Sequence, residues 1–228
     1  MRVGNLHSWD LSVADAKALQ ARLASRVLAR TPKGFTPTLV AGADMSHLRG
    51  APWLYGAVVV LRLPDLELVE AQTARRRVSF PYVPGYLSFR EGPVLLDCFR
   101  KLRSRPDAVL FDGQGFSHPR CFGLACHLSV VLDVPGVGCA KSRLCGEYAE
   151  PGPVRGSRTP LFDAGECIGT VLRTREVSKP IFVSVGHRIT LKDAEALVLA
   201  CLKGHYRLPE PTRLAHLAVN HFRREKES

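Results

Sequence analysis

The spacing of apolar residues along the chain changes from helical to strand-like near residue 38. Residues 11–30 carry apolar side chains at helical intervals, which predicts one amphipathic helix. Three segments with the character of strands follow, and they span residues 38–44, 55–63 and 66–78. Pro64 and Asp65 form a tight turn between the last two segments. We therefore expect the sheet to open with antiparallel hairpins.

Helical and strand-like segments alternate through the rest of the chain. Helices are expected at residues 88–104, 120–132, 190–203 and 211–225. Strands are expected at residues 107–112, 135–140, 168–174 and 180–185, with an irregular loop at 146–160. This alternation favours parallel strands joined by helical crossovers. Antiparallel hairpins followed by parallel strands predict a ribonuclease-H-like α/β fold, in which helices flank a mixed sheet, and we expect residues 1–228 to form a single domain.

The chain is strongly basic, with 32 Lys and Arg residues against 21 Asp and Glu residues and a formal net charge of +11. Such an excess favours nucleic acid or another anionic partner, because a basic surface attracts phosphates and releases their counterions. The same charge is also compatible with a role in solubility alone. Charge by itself therefore points only weakly to nucleic acid.

Seven cysteines are present, and no pair of them has the C-x-x-C spacing of a metal or redox motif. An odd number of cysteines, several of them inside apolar segments, is typical of a reducing compartment. The N-terminal residues do not have the pattern of a signal peptide, and no apolar run is long enough to span a bilayer. We therefore expect a cytoplasmic protein that contacts no membrane.

Three acidic residues stand where a carboxylate is costly to desolvate. Asp44 and Asp112 each end an apolar strand-like segment, and Glu91 follows the turn at residues 80–86. If the two strands are neighbours, Asp44 and Asp112 lie close together and require a cation between them. Such a site suits Mg²⁺, which takes few carboxylates and leaves positions for water and phosphate oxygens.

Two basic residues are candidates to act beside these acids. His118 follows Asp112 in a loop that contains glycine, where it either moves a proton or holds a phosphate, or simply bonds to the backbone. Lys141 ends another apolar strand, where it either stabilises charge on a phosphoryl oxygen or extends into solvent. The residue pattern leaves these alternatives open.

A rigid segment, Phe80–Tyr86, carries two prolines and places Tyr82 near its tip. An exposed aromatic side chain on a stiff loop can insert between bases and hold them apart. A loop that packs against the core would have the same composition. The sequence does not choose between these two interpretations.

Taken in order, these residues and their neighbours resemble the endonuclease V family. The motifs that carry the resemblance are Val40–Asp44, Phe80–Pro93, Phe111–Arg120, Val137–Leu144, Val185–Arg188 and Arg207–Arg213. The resemblance covers nearly the whole chain, from about residue 5 to 220. It implies the ribonuclease-H-like fold and a nuclease that acts on deaminated nucleic acid.

The activity implied by the resemblance is a metal-dependent cut in DNA at the second phosphodiester bond 3′ to deoxyinosine. The products carry a 3′-hydroxyl and a 5′-phosphate, and the cut initiates repair. The resemblance implies that Asp44, Glu91 and Asp112 bind Mg²⁺, for which Mn²⁺ can substitute. It assigns His118 and Lys141 to catalysis near the scissile phosphate.

The resemblance also assigns residues to substrate recognition. It implies a strand-separating wedge made of Pro81, Tyr82, Val83 and Pro84. It implies a pocket for the deaminated base around Leu87, Gly113 and Gly123. In both assignments the contacts are expected from aromatic stacking or from the backbone.

Two alternatives remain open at this point. The first is an inosine-specific endoribonuclease on the same scaffold. The wedge sequence reads Pro-Tyr-Val-Pro, as in bacterial members of the family, which act mainly on DNA, and we therefore favour DNA. The second alternative is a non-catalytic nucleic-acid-binding protein, which the charge of +11 alone would explain. We expect the protein to act as a monomer.

Overall fold

The computed structural model describes residue 1 and residues 3–227. The helices are α1 (Val13–Ala24), α2 (Leu87–Lys101), α3 (Leu124–Leu132), α4 (Leu191–Ala200) and α5 (Glu210–Glu227). The strands are β1 (Leu39–Ser46), β2 (Trp53–Arg62), β3 (Glu67–Arg77), β4 (Ala108–Phe111), β5 (Gly136–Ala140), β6 (Arg158–Asp163), β7 (Glu166–Leu172) and β8 (Ile181–His187). Within the described residues, no helix is both long and apolar enough to cross a membrane.

The strands form one mixed sheet in the order β3-β2-β1-β4-β5-β8-β7-β6. β1, β2 and β3 pair antiparallel, as two successive hairpins require. β4 then pairs parallel with β1, and β5 pairs parallel with β4. The predicted fold class, a mixed sheet that opens antiparallel and is flanked by helices, is confirmed.

The expectation of parallel strands in the last part of the chain is wrong. β8 runs antiparallel to β5, and β7 and β6 continue the sheet antiparallel. β6 and β7 are separated only by Ala164 and Gly165, which both have positive φ, and a two-residue turn permits only a hairpin. β6 itself begins inside the segment expected as an irregular loop. Its exposed residues and Pro160 give it no clear apolar alternation.

Helices cover both faces of the sheet, and the alternation of side chains along β1 and β4 shows which residues meet which layer. Ala41, Ala43 and Phe111 pack with residues of α2 and α3. Val40 and Leu110 pack in the other core, which contains residues of α4 and α5. The two cores account for the long apolar runs of the central strands, because both faces of these strands are buried.

The same alternation fixes the direction of two acids near the ends of these strands, because Asp44 lies within β1 and Asp112 directly follows β4. Asp44 is four residues after Val40, and Asp112 is two residues after Leu110. Residues an even number of positions apart on a strand point to the same face, so both carboxylates belong to the face that α5 covers. Gly42, between Val40 and Asp44, allows α5 to approach closely. A Cβ atom at residue 42 would lie 2.0 Å from the carbonyl carbon of Pro211.

Candidate active site

Parallel pairing brings Asp44 and Asp112 to the same edge of the sheet. Ala43 and Phe111 are register partners, and each acid is the next residue along its strand. The backbone N–H of Asp112 donates to the Ala43 carbonyl at 3.0 Å, which holds the two strand ends together. The side chain of Asp44 is only 7% exposed, so little solvent screens its charge.

His216, on α5, completes this group and was not predicted from the sequence. Ligand atoms of Asp44, Asp112 and His216 all lie within 4.8 Å of one another. Nδ1 of His216 is 2.8 Å from Oδ2 of Asp44. His216 and Asn220 are spaced i,i+4 on the helix, directly after the buried residues Ala215 and Val219. A polar pair at this spacing, beside the buried side of the helix, is the sequence signal that could have revealed His216.

Burial and mutual repulsion perturb two of the acids. Burial, together with the nearby charge of Asp112, raises the pKa of Asp44 to about 6. Burial and the charge of Asp44 raise the pKa of Glu91 to about 7. A nearby cation would relieve this repulsion, because an opposite charge favours the ionised carboxylate.

A cavity of about 430 Å³ opens beside these acids. Of the residues predicted from the sequence, its walls contain Asp44, Tyr82, Pro84, Leu87, Glu91, Asp112, Gly113, His118, Gly123 and Lys141. Pro81 and Val83 of the predicted wedge are not among its lining residues. Glu91 reaches the cavity from the α2 layer, on the opposite face of the sheet from α5, and its carboxylate is outside the group of Asp44, Asp112 and His216.

Lys141 follows β5, the strand next to β4, and its Nζ donates to Oδ2 of Asp112. The loop between α4 and α5 supports this strand end through Arg207. Nη2 of Arg207 donates to the Lys141 carbonyl at 2.6 Å and to the Pro180 carbonyl at 2.9 Å. Arg207 therefore fixes the backbone from which Lys141 extends. Its own role was not predicted, although it opens one of the motifs that carry the family resemblance.

His118 is buried in the cavity wall and bonds to the backbone on both sides of its ring. Nδ1 accepts from the Arg120 N–H at 3.2 Å, so Nε2 carries the proton and donates to the Gly85 carbonyl at 3.1 Å. Burial and the charge of Arg120 lower the pKa of His118 to about 4, which keeps the ring neutral at pH 7. In this geometry His118 anchors the base of the Phe80–Tyr86 segment.

The same carbonyl of Gly85 accepts two further hydrogen bonds. Nε2 of Gln20 donates at 3.0 Å and Nη2 of Arg120 donates at 2.8 Å. The segment is therefore held firmly at its C-terminal end, while Tyr82 near its tip is 62% exposed. An exposed tip is what the wedge interpretation requires, whereas a loop that packs against the core would bury this side chain.

The glycines expected in the base pocket lie where backbone approaches closely. A Cβ atom at residue 123 would lie 2.3 Å from the Gln114 carbonyl oxygen. A Cβ atom at residue 113 would lie 3.1 Å from the Leu124 side chain. With Leu87, these glycines line the cavity. The N–H of Gly123 donates to the Gly115 carbonyl at 3.0 Å and that of Gly113 to the Phe111 carbonyl at 2.9 Å, so the glycines shape the cavity wall by allowing this close backbone packing.

Comparison with known proteins gives consistent matches over almost the entire chain. The family model described as Endonuclease V matches residues 21–217. The Endonuclease V of Roseiflexus sp. (strain RS-1) is 46% identical over 215 residues, covering 94% of this chain and 95% of the relative. The crystal structure of the Endonuclease V from Streptomyces avermitilis is 39% identical, with a TM-score of 0.91 and 97% of each chain covered.

A more distant solved structure contains nucleic acid. It is Ciona intestinalis Endonuclease V in complex with a 24mer DNA that contains an inosine followed by a ribo-adenosine. It is 26% identical to this chain, with a TM-score of 0.80, and the match covers 93% of this chain and 98% of that one.

Proposed function

The chain belongs to the endonuclease V family and is therefore a nuclease, and we propose that it nicks DNA at the second phosphodiester bond 3′ to deoxyinosine. The reaction would leave a 3′-hydroxyl and a 5′-phosphate and would initiate repair of deaminated adenine. One observation carries this proposal above all others. Asp44, Asp112 and His216 converge, and the two acids of this group line a cavity whose walls also contain Glu91 and Lys141.

These residues fit a divalent cation. Two carboxylates that repel each other and one imidazole nitrogen provide oxygen and nitrogen donors, which suit Mg²⁺ or Mn²⁺. Asp44, Asp112 and His216 would hold the ion, and Glu91 would contribute from across the cavity. When bound, the ion supplies Lewis-acid activation of the phosphate and of the attacking water.

Lys141 would act on the phosphate itself. Its ammonium group already bonds to Asp112, so it lies beside the acids and not in open solvent. A phosphodiester in the cavity would bring its oxygens within reach of this charge, which would offset the negative charge that develops in the transition state. Arg207 would keep Lys141 in position through the backbone.

Recognition of the lesion would depend on the wedge and the pocket. Tyr82 would fill the space that a base vacates when it leaves the stack, at a cost of roughly a few kcal/mol for unstacking. His118 would hold the wedge through Gly85. The backbone around Gly113 and Gly123, with Leu87, would receive the flipped base.

The nature of the strand, DNA or RNA, defines the two candidate activities. The Pro-Tyr-Val-Pro wedge favours DNA, and the family includes a structure with inosine-containing DNA. The second candidate is an inosine-specific endoribonuclease. Cleavage of matched strands, one with deoxyinosine and one with inosine in RNA, decides between the two.

The test of the proposal uses an end-labelled duplex with a single deoxyinosine, incubated with Mg²⁺ or with chelator. We expect one nick, at the second phosphodiester bond on the 3′ side, only with the metal and only in the strand that contains the lesion. Cleavage of an adenine-containing control at the same rate would contradict the proposal, as would cleavage in chelator.

A variant separates catalysis from binding. Asp112→Ala should reduce cleavage by at least about 10³-fold, because it removes an acid from the cation site, while binding to the duplex stays measurable. Asp97→Ala, on the outer face of α2, is the matched control and should retain cleavage. Full activity of Asp112→Ala would exclude Asp112 from the site.

A further inference from the structure

A cluster of basic side chains lies on the β2 side of the carboxylates, whereas Lys141 lies on the β5 side. His47 follows β1, Arg90 precedes Glu91 in α2, and Arg223 lies in the last turns of α5. His47 is close enough to both arginines for their charges to act on its ring. Burial lowers the pKa of His47, and the charges of Arg90 and Arg223 lower it further. At neutral pH this ring therefore contributes an N–H group and not a charge.

The two guanidinium groups are bonded to neutral acceptors and keep unused donors. Nη1 of Arg90 donates to the Phe80 carbonyl at 2.8 Å, and Nη2 of Arg223 donates to Oδ1 of Asn220 at 3.4 Å. The Nε atoms of both arginines are buried and have no hydrogen-bond partner among the described residues. A buried cationic donor without an acceptor is costly, so among the described residues each guanidinium keeps a donor that an anion could satisfy.

The cluster is aligned with the candidate active site. His216, Asn220 and Arg223 lie along one side of α5, at spacings of i,i+4 and i,i+7. Oγ of Ser46 donates to Oδ1 of Asn220 at 3.0 Å, which holds this side of the helix against the end of β1. At 1.5 Å per residue, Arg223 lies about 10 Å along the helix from His216. A strand that reaches the acids can therefore also reach the cluster.

We propose that His47, Arg90 and Arg223 form a second phosphate-binding site, which holds a backbone phosphate of the substrate next to the bond that is cut. Guanidinium groups favour this occupant, because their planar donors match the oxygens of phosphate. This inference rests on the proposed function and extends it. The nucleic acid strand would cross the edge of the sheet from Lys141, past the acids, to Arg223.

Salt-dependent binding tests the site without cleavage. Anisotropy of a labelled duplex is measured in chelator, over a series of salt concentrations, with the wild-type protein, Arg223→Gln and Arg100→Gln. Arg100 bonds to Asp97 at 2.6 Å in the last turn of α2, so its replacement is a control with the same change of charge. Arg223→Gln should weaken binding about five- to tenfold and reduce the slope of log K against log salt by about 0.7–0.9, whereas Arg100→Gln should change neither.

A second measurement leaves the protein intact and changes the DNA. Single methylphosphonates are placed in turn along the strand, and each removes one phosphate charge. One position should weaken binding by the wild-type protein and cause no further loss with Arg223→Gln, since both changes remove the same contact. Two results would contradict the phosphate site. One is that the losses of binding from the methylphosphonate and from Arg223→Gln add at every position, and the other is that Arg223→Gln leaves the salt slope unchanged.

These outcomes are separate from those for inosine, because the salt series is also run on a duplex without the lesion. A reduced slope without any preference for inosine would support the phosphate site and contradict the proposed function. A preference for inosine, with a salt slope that Arg223→Gln leaves unchanged, would support the proposed function and contradict the phosphate site. Equal thermal unfolding midpoints of Arg223→Gln and the wild-type protein confirm that the variant is folded.

Discussion

Asp44 is subject to two opposing demands. Its carboxylate is buried beside Asp112, which is unfavourable for stability, yet this crowding is what provides a cation with two acids. The N–H of Met45 donates to Oδ1 of Asp44 at 2.8 Å, and His216 lies at Oδ2, so the side chain is held in one position. In the proposed function, the residue therefore contributes to the cation site at a cost in folding free energy.

This conflict predicts that Asp44→Asn stabilises the protein in the absence of metal. The folded pKa of about 6 is above the ordinary value of 3.8 for an aspartate, so the folded state binds more protons between these values, and the free energy of unfolding falls as pH rises through this window. In chelator at pH 7.5 the variant should be more stable by about 1–3 kcal/mol. Below about pH 4 the difference should vanish.

Urea unfolding at a series of pH values measures this difference. Asp97→Asn serves as the control, because the carboxylate of Asp97 is paired with Arg76 and Arg100 and, among the described residues, no acid lies beside it, so the variant should show no gain in stability. A variant at residue 44 that is less stable at pH 7.5, or a difference that does not change with pH, would show that the carboxylate is not strained by burial.

The Phe80–Tyr86 segment shows how hydrogen bonds at one end can hold a short element in place. Two prolines limit its backbone, and the Gly85 carbonyl is held by Gln20, His118 and Arg120. Tyr82 is therefore presented to solvent on a stiff support, and not on a mobile loop.

Tyr82→Ala should impair the choice of lesion more than the chemical step. Loss of one stacking contact should reduce the preference for a deoxyinosine duplex over a matched adenine duplex by about tenfold. Tyr82→Phe keeps the ring and should keep the preference. Competition binding and single-turnover cleavage measure the two effects. If the single-turnover rate collapsed while lesion binding was intact, the wedge assignment would be wrong.

The docking of α5 against β1 couples another element to the site. Gly42 allows Pro211 to approach, and His216 lies just over one turn later in the same helix. Gly42→Ala should displace α5, lower the unfolding midpoint and weaken Mn²⁺ binding, although residue 42 bears no ligand. Gly152→Ala, whose Cβ would lie 3.2 Å from Oγ of Ser157, should leave Mn²⁺ binding unchanged. Unchanged Mn²⁺ affinity in Gly42→Ala would show that α5 does not position the site.

Across the whole molecule, the sequence was informative where burial imposes a pattern. Asp44 and Asp112 could be found because each directly follows a run of apolar residues, and the cores on both faces of the sheet explain those apolar runs. The direction of β7 and β8 could not be predicted, because apolar periodicity is the same in parallel and antiparallel strands.

His216 was missed for a different physical reason. It is 172 residues from Asp44 along the chain, and its contribution depends on how α5 packs across β1. The bonds that Arg207 makes to the Lys141 and Pro180 carbonyls are equally non-local. Contacts of this kind come from tertiary packing, which no local pattern in a single sequence encodes.

The central claim is that the acids at this edge of the sheet gather a divalent cation. Calorimetric titration of Mn²⁺ into the protein at pH 7.5 tests it most directly, with Asp112→Asn beside the wild type and Asp97→Asn as control. We expect saturable binding by the wild type and the control, and affinity at least about tenfold weaker for Asp112→Asn. Equal affinity in all three proteins would contradict the claim.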